Sequence, residues 1–226
     1  MADSVEIENR VFLTRLQIGA YSLAIVLSYL TGSLPTGYLA GMARGIDIRA
    51  AGSGNIGATN VFRILGKTAG IAVLAVDGVK GFAAARWVPL LAEHCFPGVP
   101  RENLALAAGA AAVLGHVYSC WLKFKGGKGI ATSAGALGAI LPWVMLVSLL
   151  VWIAGVLLTR TVSVGSLLAA ASLPLAAAWF YPHQWVYFGF TAFAGGLAAW
   201  RHRSNMERLL AGTESKVNLS KKKDAA

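Results

Sequence analysis

Charge is scarce in this 226-residue chain: Asp, Glu, Lys and Arg make up 13% of it, against roughly 25% in an ordinary soluble domain. That leaves too little polar surface for a water-soluble fold. Acidic residues are scarcer still, ten against 20 Lys and Arg, so the formal net charge is +10 and the few segments that meet water should attract anions. Cysteine occurs only at Cys95 and Cys120, without a CxxC pair or a neighbouring group of histidines, which indicates neither a disulfide framework nor a zinc site. Long polar stretches are missing too. A duplex-sized interface has nowhere to form, so nucleic acid is not an expected partner. The N-terminal stretch lacks the basic start of a cleaved signal peptide, mixing Asp3, Glu6 and Glu8 with Arg10 and Arg15, and the apolar segment after it is expected to be retained. Abundance lies elsewhere: 56% of residues are hydrophobic, 26 are glycine, and mean hydropathy is +0.61. The fold class that fits is an all-α integral membrane protein.

Apolar stretches cover 16–43, 64–92, 104–122, 130–158, 164–180 and 185–200. A membrane helix needs about 20 apolar residues, so some suffice and others are short. Basic clusters separate them at 44–67, 123–128 and 201–223, and short basic loops belong in the cytoplasm. Two loops on one face must be separated by an even number of crossings. Three stretches lie between the second and third clusters, so one must be double. The segment 130–158 is the one to divide, because Pro142 removes a backbone donor near its middle. The result is about seven transmembrane helices, some short or broken, with the N-terminus outside and the C-terminus cytoplasmic. That arrangement places fifteen of the 20 basic residues inside. The piece 130–141 makes only about 18 Å of helix and is expected to be short, tilted or re-entrant. One polytopic domain is expected over 1–200, followed by a basic tail over 201–226 whose first part, 201–216, contributes to the site.

Three polar segments carry chemistry. Between Arg49 and Arg63 lie Gly52, Ser53, Gly54, Asn55, Gly57, Thr59 and Asn60. Glycines let backbone N–H groups face phosphate oxygens, a following helix N-terminus adds partial positive charge, and the arginines supply forked donors. An ordinary glycine-rich loop would read the same way. In the second segment Lys123, Lys125 and Lys128 flank Gly126, Gly127 and Gly129. The GxxxxGK[ST] spacing is absent, which argues against nucleoside triphosphate. A positive-inside anchor would need lysines but not the glycines around Lys128. The third segment holds Arg201, His202, Arg203, Asn205 and Arg208. If the helix runs on past Trp200, positions 201, 205 and 208 share a face, and His202 is either a proton-transfer group or a capping side chain. The lysines at 221–223 suit a tether to anionic lipid. Inside the apolar stretches, Asp77 and Lys80 stand three apart and can neutralise each other, as a functional or a structural pair. Ser33, Ser163 and Ser166 sit near cytoplasmic helix ends, where each can donate to phosphate or back-bond to its own helix.

Together these segments resemble the bacterial integral-membrane glycerol-3-phosphate acyltransferases that use acyl phosphate as donor. Three pieces carry the resemblance. They are Gly32-Ser33-Leu34-Pro35 with 53–60 and Arg63, then Lys125-Gly126-Gly127-Lys128-Gly129 with Ala131-Thr132, and finally Arg201-His202 with Asn205, Arg208, Leu209 and Gly212. The resemblance implies transfer of a fatty acyl group to the 1-hydroxyl of sn-glycerol 3-phosphate, giving lysophosphatidic acid and inorganic phosphate. It also implies a multi-pass protein of the bacterial cytoplasmic (inner) membrane with its site facing the cytoplasm. Other acyltransferases of phospholipid synthesis carry a histidine followed, after four residues, by aspartate; none of the four histidines here does.

The expected catalytic residues are therefore Lys128, Asn205, His202 and Asn55, the last near the oxyanion. Ser33, Arg49, Ser53, Asn60, Arg63, Lys125, Ser163, Ser166, Arg201 and Arg208 are the expected substrate-binding groups. No cofactor or metal is expected, since no paired carboxylates accompany the phosphate motifs. The expected partners are the two substrates and membrane lipid, with no protein partner implied. A transporter or channel for a phosphorylated metabolite is the alternative, although its anion site would have to be reachable from both sides.

Overall fold

The computed structural model describes residues 2–217, and every regular element among them is helical. The lysines at 221–223 lie outside the described residues. The chain divides after Pro142 into two compact units.

In the first unit, α1 (Ala2–Ser33) ends where Leu34 precedes Pro35, a residue pair that disfavours helical backbone. The apolar run 16–43, expected as one stretch, is therefore broken by a turn before α2 (Thr36–Met42). A short 3-10 turn (Ile48–Ala50), capped by Asp47, and α3 (Ala58–Leu65) follow. Gly66, at φ +89, takes a left-handed conformation that lets α4 (Lys67–Arg86) start in a new direction. Then come α5 (Val88–Cys95) and α6 (Arg101–Val117), a 3-10 turn (Cys120–Leu122), and α7 (Ile130–Ile140). Ile48, Ile56, Val61, Val73 and Leu122 form one buried cluster, which pins the glycine-rich loop before α3 to α4. Ala20, Ala24, Ala92, Val99 and Leu104 form another, where α1, α5 and the start of α6 meet.

Helix pairs in this unit meet backbone to backbone. A Cβ on Gly32 would overlap the Ala112 carbonyl, and one on Gly115 the Tyr29 carbonyl, so α1 and α6 cross at glycines. Gly81 abuts the Thr132 carbonyl and Gly135 the Gly78 carbonyl, which does the same for α4 and α7. Lipid gives no hydrophobic drive for helices to associate, so close approach of small residues has to supply the packing.

The second unit contains α8 (Pro142–Thr159), α9 (Val162–Phe180), α10 (Trp185–Arg201) and α11 (Arg203–Leu210). The break expected at Pro142 is present, since α7 stops at Ile140 and α8 starts on the proline itself. The condition for 201, 205 and 208 to share a face, one helix running on past Trp200, is not met. His202 sits at a joint between α10 and α11 with φ −97 and ψ 8, so Arg201 and the pair Asn205 and Arg208 belong to different helices.

Among the described residues, five segments are long and apolar enough to cross a bilayer: Glu6–Met42, Lys67–Cys95, Arg101–Leu122, Pro142–Thr159 and Val162–Phe180. Ile130–Ile140 is apolar but shorter. Leu158, Leu175 and Trp179 are 72–85% exposed, a surface that suits lipid and not water.

Candidate active site

Two side-chain bonds hold the Leu34 turn, and a third ties α1 to the end of α6 beside it. Ser119 Oγ donates to the Ser33 carbonyl at 2.6 Å, Lys80 Nζ donates to the Leu34 carbonyl at 2.8 Å, and Tyr29 Oη donates to the Tyr118 carbonyl at 2.7 Å. Ser33 is fully buried, and its Oγ has no hydrogen-bond partner in the structure. Thr132, in the first turn of α7, is the same. Buried hydroxyls are nearly always satisfied, so two unsatisfied ones in motif segments mark places where a polar ligand atom would be welcome.

The loop before α3 is organised by its own amides. Asn60 is buried, and its Nδ2 donates to the carbonyls of Ala51 at 3.0 Å and Ile48 at 3.2 Å, while Oδ1 accepts from Ser53 N at 2.9 Å. Asn55 Oδ1 accepts from Gly57 N at 2.8 Å. These side chains shape the loop from within. Arg49 forks onto Asp47, with Nε at 2.9 Å from Oδ1 and Nη2 at 2.7 Å from Oδ2, and lies 4.6 Å over the Tyr38 ring. That side-chain hydrogen bond, reinforced by one from Arg49 N, lowers the Asp47 pKa to about 2. Sequence reasoning passed over Asp47, because an acid beside an anion cradle looks out of place. Arg63 and the Ser53 side chain are exposed on the same loop and helix.

The 125–129 loop is built on left-handed backbone. Lys123 and Phe124 have φ of 51 and 61, and Gly129, at φ +82, caps α7. Gly126 N donates to the Val117 carbonyl and Gly127 N to the His116 carbonyl, each at 3.0 Å. A Cβ on Gly126 would overlap the His116 carbonyl, and one on Gly127 the His116 ring at Nε2. The glycines thus let the loop lie flat on the end of α6, with Lys125 exposed and Lys128 half-buried where α7 begins.

In the second unit a carboxylate that sequence reasoning gave no role gathers the third segment. Glu214 Oε1 accepts from Asn205 Nδ2 at 2.6 Å and from Ser163 Oγ at 2.9 Å, and Oε2 accepts from Arg208 Nε at 2.7 Å. Burial pushes the Glu214 carboxyl up, but the bonds from Asn205, Arg208 and Ser163 outweigh it and hold its pKa below the ordinary range. Ser166 Oγ back-bonds to the Val162 carbonyl at 2.9 Å and accepts from Trp152 Nε1 at 3.3 Å. His202 is buried, with Nδ1 2.7 Å from the Ala198 carbonyl. A carbonyl can only accept, so Nδ1 carries the proton and Nε2 is the basic nitrogen of the neutral ring. Arg201 is half-buried and lies 5.8 Å from the Trp200 ring.

A family model described as glycerol-3-phosphate acyltransferase matches residues 22–212. The glycerol-3-phosphate acyltransferase of Desulforudis audaxviator is 48% identical over 203 residues, covering 89% of this chain and 98% of its own. That of Desulforamulus reducens is 44% identical over 201 residues, covering 88% and 96%. A crystal structure of PlsY (YgiH), an integral membrane glycerol 3-phosphate acyltransferase in its glycerol 3-phosphate form, superposes with a TM-score of 0.79 at 38% identity, covering 88% of this chain and 96% of its own. The lysophosphatidic acid form of the same enzyme gives 0.76.

Proposed function

The chain belongs to the glycerol-3-phosphate acyltransferase family, and from that premise we propose how it works and with which donor. Its activity is acyl transfer to glycerol 3-phosphate, giving lysophosphatidic acid. This replaces the transporter reading. The donor is an acyl phosphate, the acceptor atom is the 1-hydroxyl of sn-glycerol 3-phosphate, and inorganic phosphate leaves.

The observation that carries the donor assignment is the His202 geometry. Its Nδ1 partner is the Ala198 carbonyl at 2.7 Å, on the nitrogen where a histidine–aspartate dyad places its carboxylate. An acyl phosphate is a mixed anhydride with a good leaving group, and needs less activation of the hydroxyl than a thioester does. The main obstacle is repulsion. Two phosphates near −2 each, about 5 Å apart at an effective dielectric near 20, repel by on the order of 10 kcal/mol. Ser33, Lys125, Lys128 and Arg63 in the first unit offset this by binding phosphate oxygens, and the backbone N–H groups of the loop that Asn60 and Asn55 shape add fixed dipoles. Arg49 and Ser53 border the same loop. In the second unit Arg201, His202 and Asn205 act on the acceptor, Ser163 and Arg208 hold that segment in place through Glu214, and Ser166 bonds α9 to Trp152 of α8. The hydroxyl proton passes to a substrate phosphate oxygen, whose second pKa is near 6, as the oxygen attacks the acyl carbon. The tetrahedral oxyanion collapses and the C–O bond to phosphate breaks.

The enzyme is a multi-pass protein of the bacterial cytoplasmic membrane. Seven crossings by α1, α4, α6, α7, α8, α9 and α10 put the N-terminus outside and the C-terminus in the cytoplasm. The excess of basic residues in the intervening loops supports this orientation. The span 1–200 is the polytopic part, and 201–216 adds site residues from the tail.

The test is product formation by purified protein given glycerol 3-phosphate with acyl phosphate, acyl-CoA or acyl carrier protein thioester. Acyl phosphate alone should support lysophosphatidate and phosphate release, and efficient use of either thioester would overturn the donor assignment. Lys128→Ala should abolish turnover in protein that still inserts; near-wild-type turnover would remove Lys128 from the site.

A further inference from the structure

A buried ionisable cluster in the first unit has no part in the chemistry above. Asp77 and Lys80 on α4 and His116 on α6 are each 5% exposed or less. Lys80 Nζ lies 2.8 Å from Asp77 Oδ1 and also donates to the Leu34 carbonyl at 2.8 Å, reaching 46 residues back along the chain. Asp77 Oδ1 is 3.7 Å from His116 Nδ1, too long for a hydrogen bond but close for a charge and a ring dipole. On its far side the His116 ring fills the space beneath Gly127, and its carbonyl accepts from Gly127 N. One end of the cluster therefore grips the turn that carries Ser33, and the other supports the loop that carries Lys128.

Stability does not explain this arrangement. Burying an ammonium and a carboxylate among apolar helices is costly, and replacing such a pair by apolar residues of similar volume is often neutral or stabilising. Ionisable groups inside a membrane bundle are rare and tend to serve function. The position of Lys80 also exceeds what a neutralising pair needs, because its ammonium has a second partner on a separate helix end. The Leu34 carbonyl also accepts from Thr36 N at 3.0 Å within the turn, and the Lys80 ammonium ties that turn to α4.

We propose that Asp77, Lys80 and His116 are positioning residues that fix the Leu34 turn against the 125–129 loop, and so set the spacing between Ser33 and Lys128. The proposal rests on the reading of Ser33 and Lys128 as phosphate-binding groups. Displacing a reactant or a binding group by about 1 Å can lower a rate by on the order of 100-fold, so the signature is lost turnover in protein that is still folded.

The experiment compares wild type, Asp77→Leu/Lys80→Met and Lys80→Arg for thermal midpoint in detergent and for kcat and KM with glycerol 3-phosphate and acyl phosphate. The double variant should keep a midpoint within a few degrees of wild type while kcat falls at least tenfold. Lys80→Arg keeps the charge but places donors differently, and should also fold with a tenfold or greater fall in kcat. If either variant folds with kcat within threefold of wild type, the cluster is only a packing device and the proposal is overturned; it is equally overturned if both fail to fold. Ser33→Ala and Lys128→Ala are assayed alongside. Wild-type turnover in those two condemns the phosphate-binding reading, whereas their inactivity combined with active cluster variants condemns only the positioning role.

Discussion

At the scale of single residues, the third polar segment depends on Glu214. One carboxylate takes donors from α9 and α11, through Ser163, Asn205 and Arg208. Glu214→Gln keeps the shape but leaves Arg208 without its counter-charge, and should lower stability by about 1–3 kcal/mol, the scale of a charge-assisted bond. Denaturant unfolding in detergent checks this. Because the folded-state pKa is depressed, the contribution is complete above the ordinary glutamate range and disappears as pH falls through the lower folded value. Wild type should therefore lose its margin over Glu214→Gln in acid, and the two unfolding curves should converge there. His202→Gln addresses proton transfer: retention of most turnover supports a substrate phosphate as acceptor, and total loss with intact binding makes the ring the base. Lysines between glycines, and an arginine–histidine pair at a helix end, stand out in the sequence because they have few other reasons to occur. The acids were not legible, since Asp47 and Glu214 look misplaced near an anion until their arginines are seen gripping them. Asn60 reads as a ligand in sequence and proves to brace the loop, because spacing does not reveal where an amide's donors point.

Helix boundaries were legible at Pro142 but not at Pro35, where the run 16–43 reads as one apolar stretch, and illegible where tertiary contacts decide. Pro142 announced the division of 130–158. The joint at His202 has neither proline nor glycine and was missed. Glycines in apolar runs signalled close packing, but not which neighbour each one faces. The structure supplies the pairs, and they differ in expected consequence. Gly135→Ala drives a methyl into the Gly78 carbonyl, and should destabilise by about 1–3 kcal/mol as α4 and α7 are forced apart. Gly196→Ala on α10 meets nothing within 4 Å, and should be neutral or stabilise by up to about 1 kcal/mol through helix propensity. Thermal unfolding of the two variants side by side separates packing from propensity.

For the molecule as a whole, the two cysteines report the topology. Cys95 is exposed at the end of α5 and Cys120 is partly exposed after α6, so one candidate span, α6, lies between them. On the seven-span arrangement an impermeant maleimide added to intact cells should label Cys95 and spare Cys120, with the pattern reversed in inside-out vesicles. Labelling of both from one side would mean that α6 does not cross. The sequence suggests an orientation because basic loops obey a simple sign rule, whereas the depth of each helix depends on its neighbours. Depth matters most at α7. Its eleven residues make a rod of about 16 Å, roughly half the usual hydrocarbon thickness of about 30 Å. On the seven-span arrangement the oil beside it must thin or the headgroups sag, and each added methylene in the surrounding lipid increases that mismatch. Turnover should therefore decline as vesicles are prepared from longer-chain lipids. An overgrown bilayer would then throttle its own supply of new precursor, and a thin one would hasten it.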